Sequence, residues 1–295
     1  MKNKNCIIFL IVLLSILSIC LIGFMIIMMN VNMPFSKFMV HHHISNNLII
    51  DEIYNDSFQN IFIESNASDI YIKHSDNNEV KVLVYGDKDK VKVKNINNIL
   101  SINTNIKKCV GLCFNQKLAK VEVYIPKNYK NDINIINKYG DVFIDEFNSA
   151  NMNIKNNCGD IEVLGANIAE IKDDFGDISL VKSNKADIFA SCGDIDIGQV
   201  TDLKAINKYG NIKIDKVNNF LDLVNNCGDI EAKYINLNKN SKIKSSLGDI
   251  EIGLTNEIYI DAKTSLGDVD VNNNYKKSNI TLKIDNSCGD IEVDN

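Results

Sequence analysis

The sequence predicts an all-β fold, a parallel β-solenoid of stacked repeats with an irregular N-terminal β cap, preceded by one transmembrane helix. Three observations predict it. A short motif, Gly-Asp/Asn-(Ile/Val)-x-apolar, recurs nine times at intervals of 17–22 residues in the C-terminal half. Apolar and polar residues alternate on both sides of nearly every copy. A run of 24 residues near the N-terminus carries no charge. A regular repeat of this length is the signature of a unit that buries its apolar face only by stacking on its neighbours.

Residues 1–5 read as a cytoplasmic tail and 6–29 as the membrane helix. At 1.5 Å per residue the apolar run spans ~36 Å, enough for a bilayer core with some tilt. Lys2 and Lys4 precede it and the next basic residue is Lys37, so the positive-inside rule places the rest of the chain outside the cytoplasm. A cleaved signal peptide fits less well, because the apolar run is too long and no small-x-small site follows. Cys20 invites a lipoprotein reading, but Ile19 is bulky where that site needs a small residue. Residues 30–57 read as a polar juxtamembrane linker.

Residues 58–126 read as a capping region of irregular strands. Val80-Lys81-Val82-Leu83-Val84 and Val121-Glu122-Val123-Tyr124-Ile125 alternate with a period of two, the pattern of a half-buried strand. Ser68-Asp69-Ile70-Tyr71-Ile72 looks like a degenerate first repeat. A cap is needed because an open edge recruits other strands.

Residues 127–295 form the regular array. Its corner glycines are Gly140, Gly159, Gly176, Gly193, Gly210, Gly228, Gly248, Gly267 and Gly289. Glycine supplies a backbone conformation other residues resist, and Asp or Asn can bond turn backbone. Apolar residues sit two and four positions after each glycine, and seven and five positions before it; only Ser241 breaks the second pattern. Nine single-repeat coils at the ~4.8 Å strand spacing would make a rod of roughly 40 Å. The residue before glycine alternates aromatic and Cys through the first six copies: Tyr139, Cys158, Phe175, Cys192, Tyr209, Cys227. Either large and small side chains interlock between coils, or one coil holds two repeats.

A strand pair, a Val-Glu-Val-Tyr-Ile-Pro step at 121–126 and then tandem Gly-Asp-Ile-x-Val copies together resemble the bacterial putative-adhesin domain family, over about residues 58–295. That resemblance implies an envelope β-repeat protein with surface adhesion or envelope stress as its setting, and it brings no catalytic residues with it.

Composition and chemistry narrow the function. Net charge is −6 with no basic tract, which argues against nucleic acid. The aspartates after the glycines read either as a cation ladder or as turn residues held by backbone N–H groups; Asn211 in the same place favours the turn. Of eight cysteines, Cys6 and Cys20 lie in the membrane run. Cys158, Cys192, Cys227 and Cys288 read as small apolar packing residues at corners, with stacked disulfides or a thiolate metal site as rivals. Cys109 and Cys113 bracket a short loop and are candidates for a disulfide if the exterior is oxidising. His41, His42 and His43 read as a solvated linker, with metal or proton sensing the rival. With His74 the only other histidine, no catalytic or metal constellation is spread over the fold, and no cofactor is expected.

The leading expectation is a membrane-anchored extracytoplasmic adhesin or surface-interaction module without catalysis. Its partners would be the membrane and a protein or glycan, with self-association through the C-terminal edge. The alternative is an envelope scaffold or stress-sensing component acting through assembly. A polysaccharide-active enzyme is the remote third reading, since the outward acids are periodic rather than gathered in a cleft.

Overall fold

The structure is a computed structural model that describes residues 43–55, 57–104 and 117–294. The expected membrane span 6–29, Cys6, Cys20, His41, His42, Cys109 and Cys113 lie outside these residues. Among the described residues no helix is long and apolar enough to cross a membrane.

Alternation becomes strand throughout. The described part of the stretch expected as a linker is not free chain: Leu48, Ile50 and its other apolar residues form β2 (Leu48–Tyr54), which pairs with the cap, and β1 (His43–Ile44) precedes it. The cap over 58–126 contributes β3 (Asn60–Ser65), β4 (Ser68–Ser75), β5 (Val80–Tyr85), β6 (Val91–Ile96), β7 (Ile99–Thr104) and β8 (Lys117–Pro126). The array begins with β9 (Asp132–Asn137) and five long strands, β10 (Val142–Cys158), β11 (Ile161–Phe175), β12 (Ile178–Cys192), β13 (Ile195–Asn207) and β14 (Ile212–Asn225). It ends with β15 (Ile230–Ile235), β16 (Ser241–Ser245), β17 (Ile250–Leu254), β18 (Tyr259–Thr264), β19 (Val269–Val271), β20 (Thr281–Asn286) and β21 (Ile291–Asp294).

The two separate strands expected per repeat are joined in β10–β14. Each long strand carries the second half of one repeat and the first half of the next. Between them the alternation breaks and one further side chain is buried seven residues after the glycine: Phe147, Ala166, Ser183, Val200 or Val217. Consecutive repeats pair in parallel, Val142 with Ile161, Ile161 with Ile178, Ile178 with Ile195 and Ile195 with Ile212. One repeat therefore makes one coil, and the two-repeat alternative falls. The apolar positions flanking the glycines form a continuous buried column. Ser241, the exception in the sequence pattern, is accommodated because its Oγ accepts from Leu221 N at 3.1 Å and donates to Lys239 O at 3.0 Å.

At both ends the stacking order departs from the chain order. β20 lies between β16 and β18, and β21 between β17 and β19. The Gly267 coil is thus outermost and the later Gly289 coil is inserted beneath it. The expectation that the last repeat offers the free edge is wrong: β20 and β21 are paired on both sides. At the other end β3 lies between β7 and β9, and β4 between β8 and β10. The degenerate repeat at Ser68 is therefore a true coil under the Gly140 coil, as the sequence suggests. Antiparallel strands close this end, β5 on β8, β2 on β5 and β6 on β7. His74 ties cap to array: its N–H donates to Asp145 Oδ2 at 2.8 Å and its ring stands edge-on to Phe147 at 4.7 Å.

Candidate interaction surfaces

The corner is the most organised part of the coil. All nine glycines have positive φ, from +115° to +149°. A Cβ at Gly193 would lie 2.0 Å from Gly176 O, so adjacent corners touch backbone to backbone. Beside them runs a ladder of side chains. Oδ1 of Asp69 accepts from Asp141 N, Asp141 from Asp160 N, and so on through Asn211 to Asp290, which accepts from Asp268 N, at 2.7–3.0 Å. These aspartates are held by backbone N–H groups, but of the next coil rather than of their own turn. Among the described residues no cluster could hold a metal ion.

A second ladder, missed in the sequence, lies inside the corner three residues before each glycine. Asn156 Nδ2 donates to Gly159 O at 2.8 Å, and Asn225 Nδ2 to Gly228 O at 2.8 Å and Gly210 O at 3.1 Å. Asn137, Asn207 and Asn286 act in the same way. The signal was present: five of nine repeats carry Asn there. Asp173, in register with Asn156, takes the place fully buried. A carboxylate has no proton to give the glycine carbonyls, and the Asp174 backbone N–H that acts on its buried oxygens falls short of full hydrogen-bond geometry. Burial pushes its pKa up to about 7; the Asp174 backbone N–H pulls the other way, and the charges of Asp174, Asp160 and Asp177 add to the rise.

Outside the corner stands a ridge. Backbone bonds order the residues before the glycines as Tyr139, Cys158, Phe175, Cys192, Tyr209, Cys227, Leu247, Cys288, Leu266. Large and small alternate without a break, because the inverted last coils put Cys288 between the two leucines. The large side chains are 42, 58, 61, 52 and 70% exposed in that order. The cysteines fill gaps on the outside of the coil rather than packing in the core as expected; Cys227 is exposed and the others half-buried. They lie two rungs apart, ~9.6 Å from the strand spacing, too far for disulfides with one another. Burial, with the charges of Asp173 and Asp174, raises the Cys158 thiol above its usual range.

Two other surfaces stand out. On the outer sheet face a shallow hollow of about 330 Å³ is lined by Asn153, Lys155, Glu170, Lys172, Asp187 and Phe189. Lys172 and Lys208 lie over the Phe189 ring at 5.6 and 5.0 Å. On the cap, Glu122 holds Lys73 at 2.9 Å and Lys120 at 3.4 Å, and those lysines stack on Tyr71 and Tyr85. The cap cluster shares one carboxylate between two ammonium groups.

This geometry defines a class, the parallel β-solenoid with one repeat per coil, glycine corners and side-chain ladders between coils. The chain belongs to the Toastrack DUF4097 family, whose model matches residues 58–295. Similar solved structures include a putative adhesin from Bacteroides fragilis, at 16% identity and TM-score 0.44 over 84% of this chain and 98% of that one. A putative lipid binding protein from Parabacteroides distasonis matches at 15% and 0.43, over 84% and 97%. A putative cell adhesion protein from Clostridium sporogenes matches at 16% and 0.24, over 83% and 98%. No curated protein matches the chain.

Proposed function

We propose that this chain is a non-catalytic interaction module of the extracytoplasmic surface, tethered by residues 6–29 and displaying the coil stack to a protein or glycan. The observation that carries the reading is the ridge. Its large apolar side chains and the cysteines between them follow one another along a single line, and contiguous exposed apolar surface marks an interaction site. The charge-free run behind Lys2 and Lys4 supports the topology. The scaffold reading has one observation of its own: among the described residues β19 pairs with β21 on one side and has no strand neighbour on the other. That edge is only three residues long, and beside it Asn274 occupies the edge of β18, bonding Ile260 N at 3.0 Å and Ile260 O at 2.8 Å. Strand addition there is accordingly the weaker of the two.

Protease treatment of intact cells carrying a C-terminal tag tests the proposal. Loss of the tag with cytoplasmic markers intact is the expected result. Survival on intact cells followed by degradation after lysis would place the repeats inside and sink it. If the stack resists protease altogether, a membrane-impermeant maleimide on exposed Cys227 reads the same question.

A further inference from the structure

We propose that the ridge binds an extended, neutral, β-1,4-linked polysaccharide lying along the stack axis, with alternate sugar rings resting on Tyr139, Phe175, Tyr209, Leu247 and Leu266. The proposal deepens the surface-module reading and takes its biological setting from it, but its chemistry stands on the ridge alone.

Width is the first argument. The ridge is one side chain wide and eight rung intervals long, ~38 Å. A stable protein partner needs about 800 Å² from each side, more than five partly exposed side chains in single file supply. A linear polymer meets a line of contacts without a broad footprint. Period is the second. The platforms recur every two rungs, ~9.6 Å. A β-1,4-linked pyranose chain turns over at each linkage, so the same C–H face returns once per disaccharide, a distance close to two rungs. The small cysteine between platforms leaves room for the intervening, inverted ring. Charge is the third. Exposed carboxylates flank the ridge on every coil but that of Asn211. Each Oδ1 is engaged by the next coil, with Asp268 at the end of the ladder, and an exposed carboxylate has further lone pairs with which to accept sugar hydroxyls. The same row of negative charge repels an anionic polymer, which selects a neutral one.

The purified full chain in detergent micelles is mixed with insoluble cellulose and chitin, and bound protein is competed with cellohexaose or chitohexaose. Retention on at least one polymer is expected, released by its own hexasaccharide. The triple variant Tyr139→Ser, Phe175→Ser, Tyr209→Ser should bind at least ~10-fold more weakly, while Phe189→Ser, off the ridge, binds as wild type. These side chains are outside the core, so an unchanged thermal melt shows that the triple variant is folded. Absence of retention on both polymers, or a folded triple variant that binds as wild type, overturns the proposal. The protease result is independent: a surface-exposed chain without polysaccharide binding removes the ligand and keeps the module. Binding by a chain that proves intracellular removes the module and keeps the ligand chemistry.

Discussion

At the scale of residues, the corner concentrates what the fold cannot do without. Gly193 combines φ of +135° with the 2.0 Å approach to Gly176 O, so Gly193→Ala both strains the backbone and pries two coils apart. A loss of ~3 kcal/mol or more is expected in urea unfolding, against almost none for exposed Phe175→Ser. Asp173 gives a prediction with a sign. Its folded pKa of about 7 lies above the ordinary aspartate value of 3.8, so between those values the folded chain holds a proton the unfolded chain has released. Protonated Asp173 can donate to a glycine carbonyl as Asn156 does. The contribution of Asp173 to stability is therefore full below pH ~4, falls as pH rises toward about 7, and stays low above it. Asp173→Asn supplies the donor permanently. Wild type and variant should be equally stable near pH 4 and diverge toward pH 8, the variant gaining at most ~4 kcal/mol. Urea titrations of both from pH 4 to 9 measure the difference, and parallel curves would show that Asp173 is not the proton holder.

At the scale of elements, most of the coil was legible and its order was not. The glycine spacing located every corner, and the alternation around Ile161, Val163, Ala169 and Ile171 located the buried face. Those signals are local, and pairing between coils is not. Nothing in Ile250–Leu254 states that its next neighbour is Ile291–Asp294 rather than Val269–Val271. Two clues were nonetheless present. The interval from Gly267 to Gly289 is the longest, which the chain needs to return past a coil. Leu247 and Leu266 also break an alternation that Cys288 restores in space. The inversion has an electrostatic consequence. Glu231, Glu251, Glu292 and Asp270 occupy four consecutive rungs on one outer column. Lys233 relieves Glu231 at 3.3 Å, but Glu251 sits between two carboxylates, and like charges directly opposite are destabilising. Glu251→Lys should raise the melting temperature, by the equivalent of up to ~1 kcal/mol at low salt. The gain should shrink as salt screens the column. A melting temperature that falls, or a gain indifferent to salt, would contradict the stacking of these four residues.

At the scale of the whole molecule, a stack in which each coil bonds only its two neighbours loses structure from its ends. The two described ends are not alike. At the cap, antiparallel β5 and β6 cover the outer coil of β7 and β8, and Val80, Val82 and Val84 are buried beneath. At the other end the Gly267 coil has one strand neighbour on each sheet, with Leu266 and Val269 exposed and the Asn274 amide as edge cover for β18. Opening should begin there. Because the chain order is inverted, segment 259–271 should exchange its amide hydrogens before segment 281–293, although the latter lies nearer the C-terminus, where fraying is ordinarily fastest. The reason is in the bonding: β20 and β21 are flanked on both sides, and their corner is locked by Asp290 N on Asp249 Oδ1 at 2.8 Å, across 41 residues of chain. Hydrogen exchange read by mass spectrometry on peptides from each segment distinguishes the two orders. Faster exchange in 259–271 follows from a coil inserted beneath its predecessor. Faster exchange in 281–293 would mean that the last coil lies outermost in solution, and the unbroken alternation of large and small side chains along the ridge would then end at Leu247.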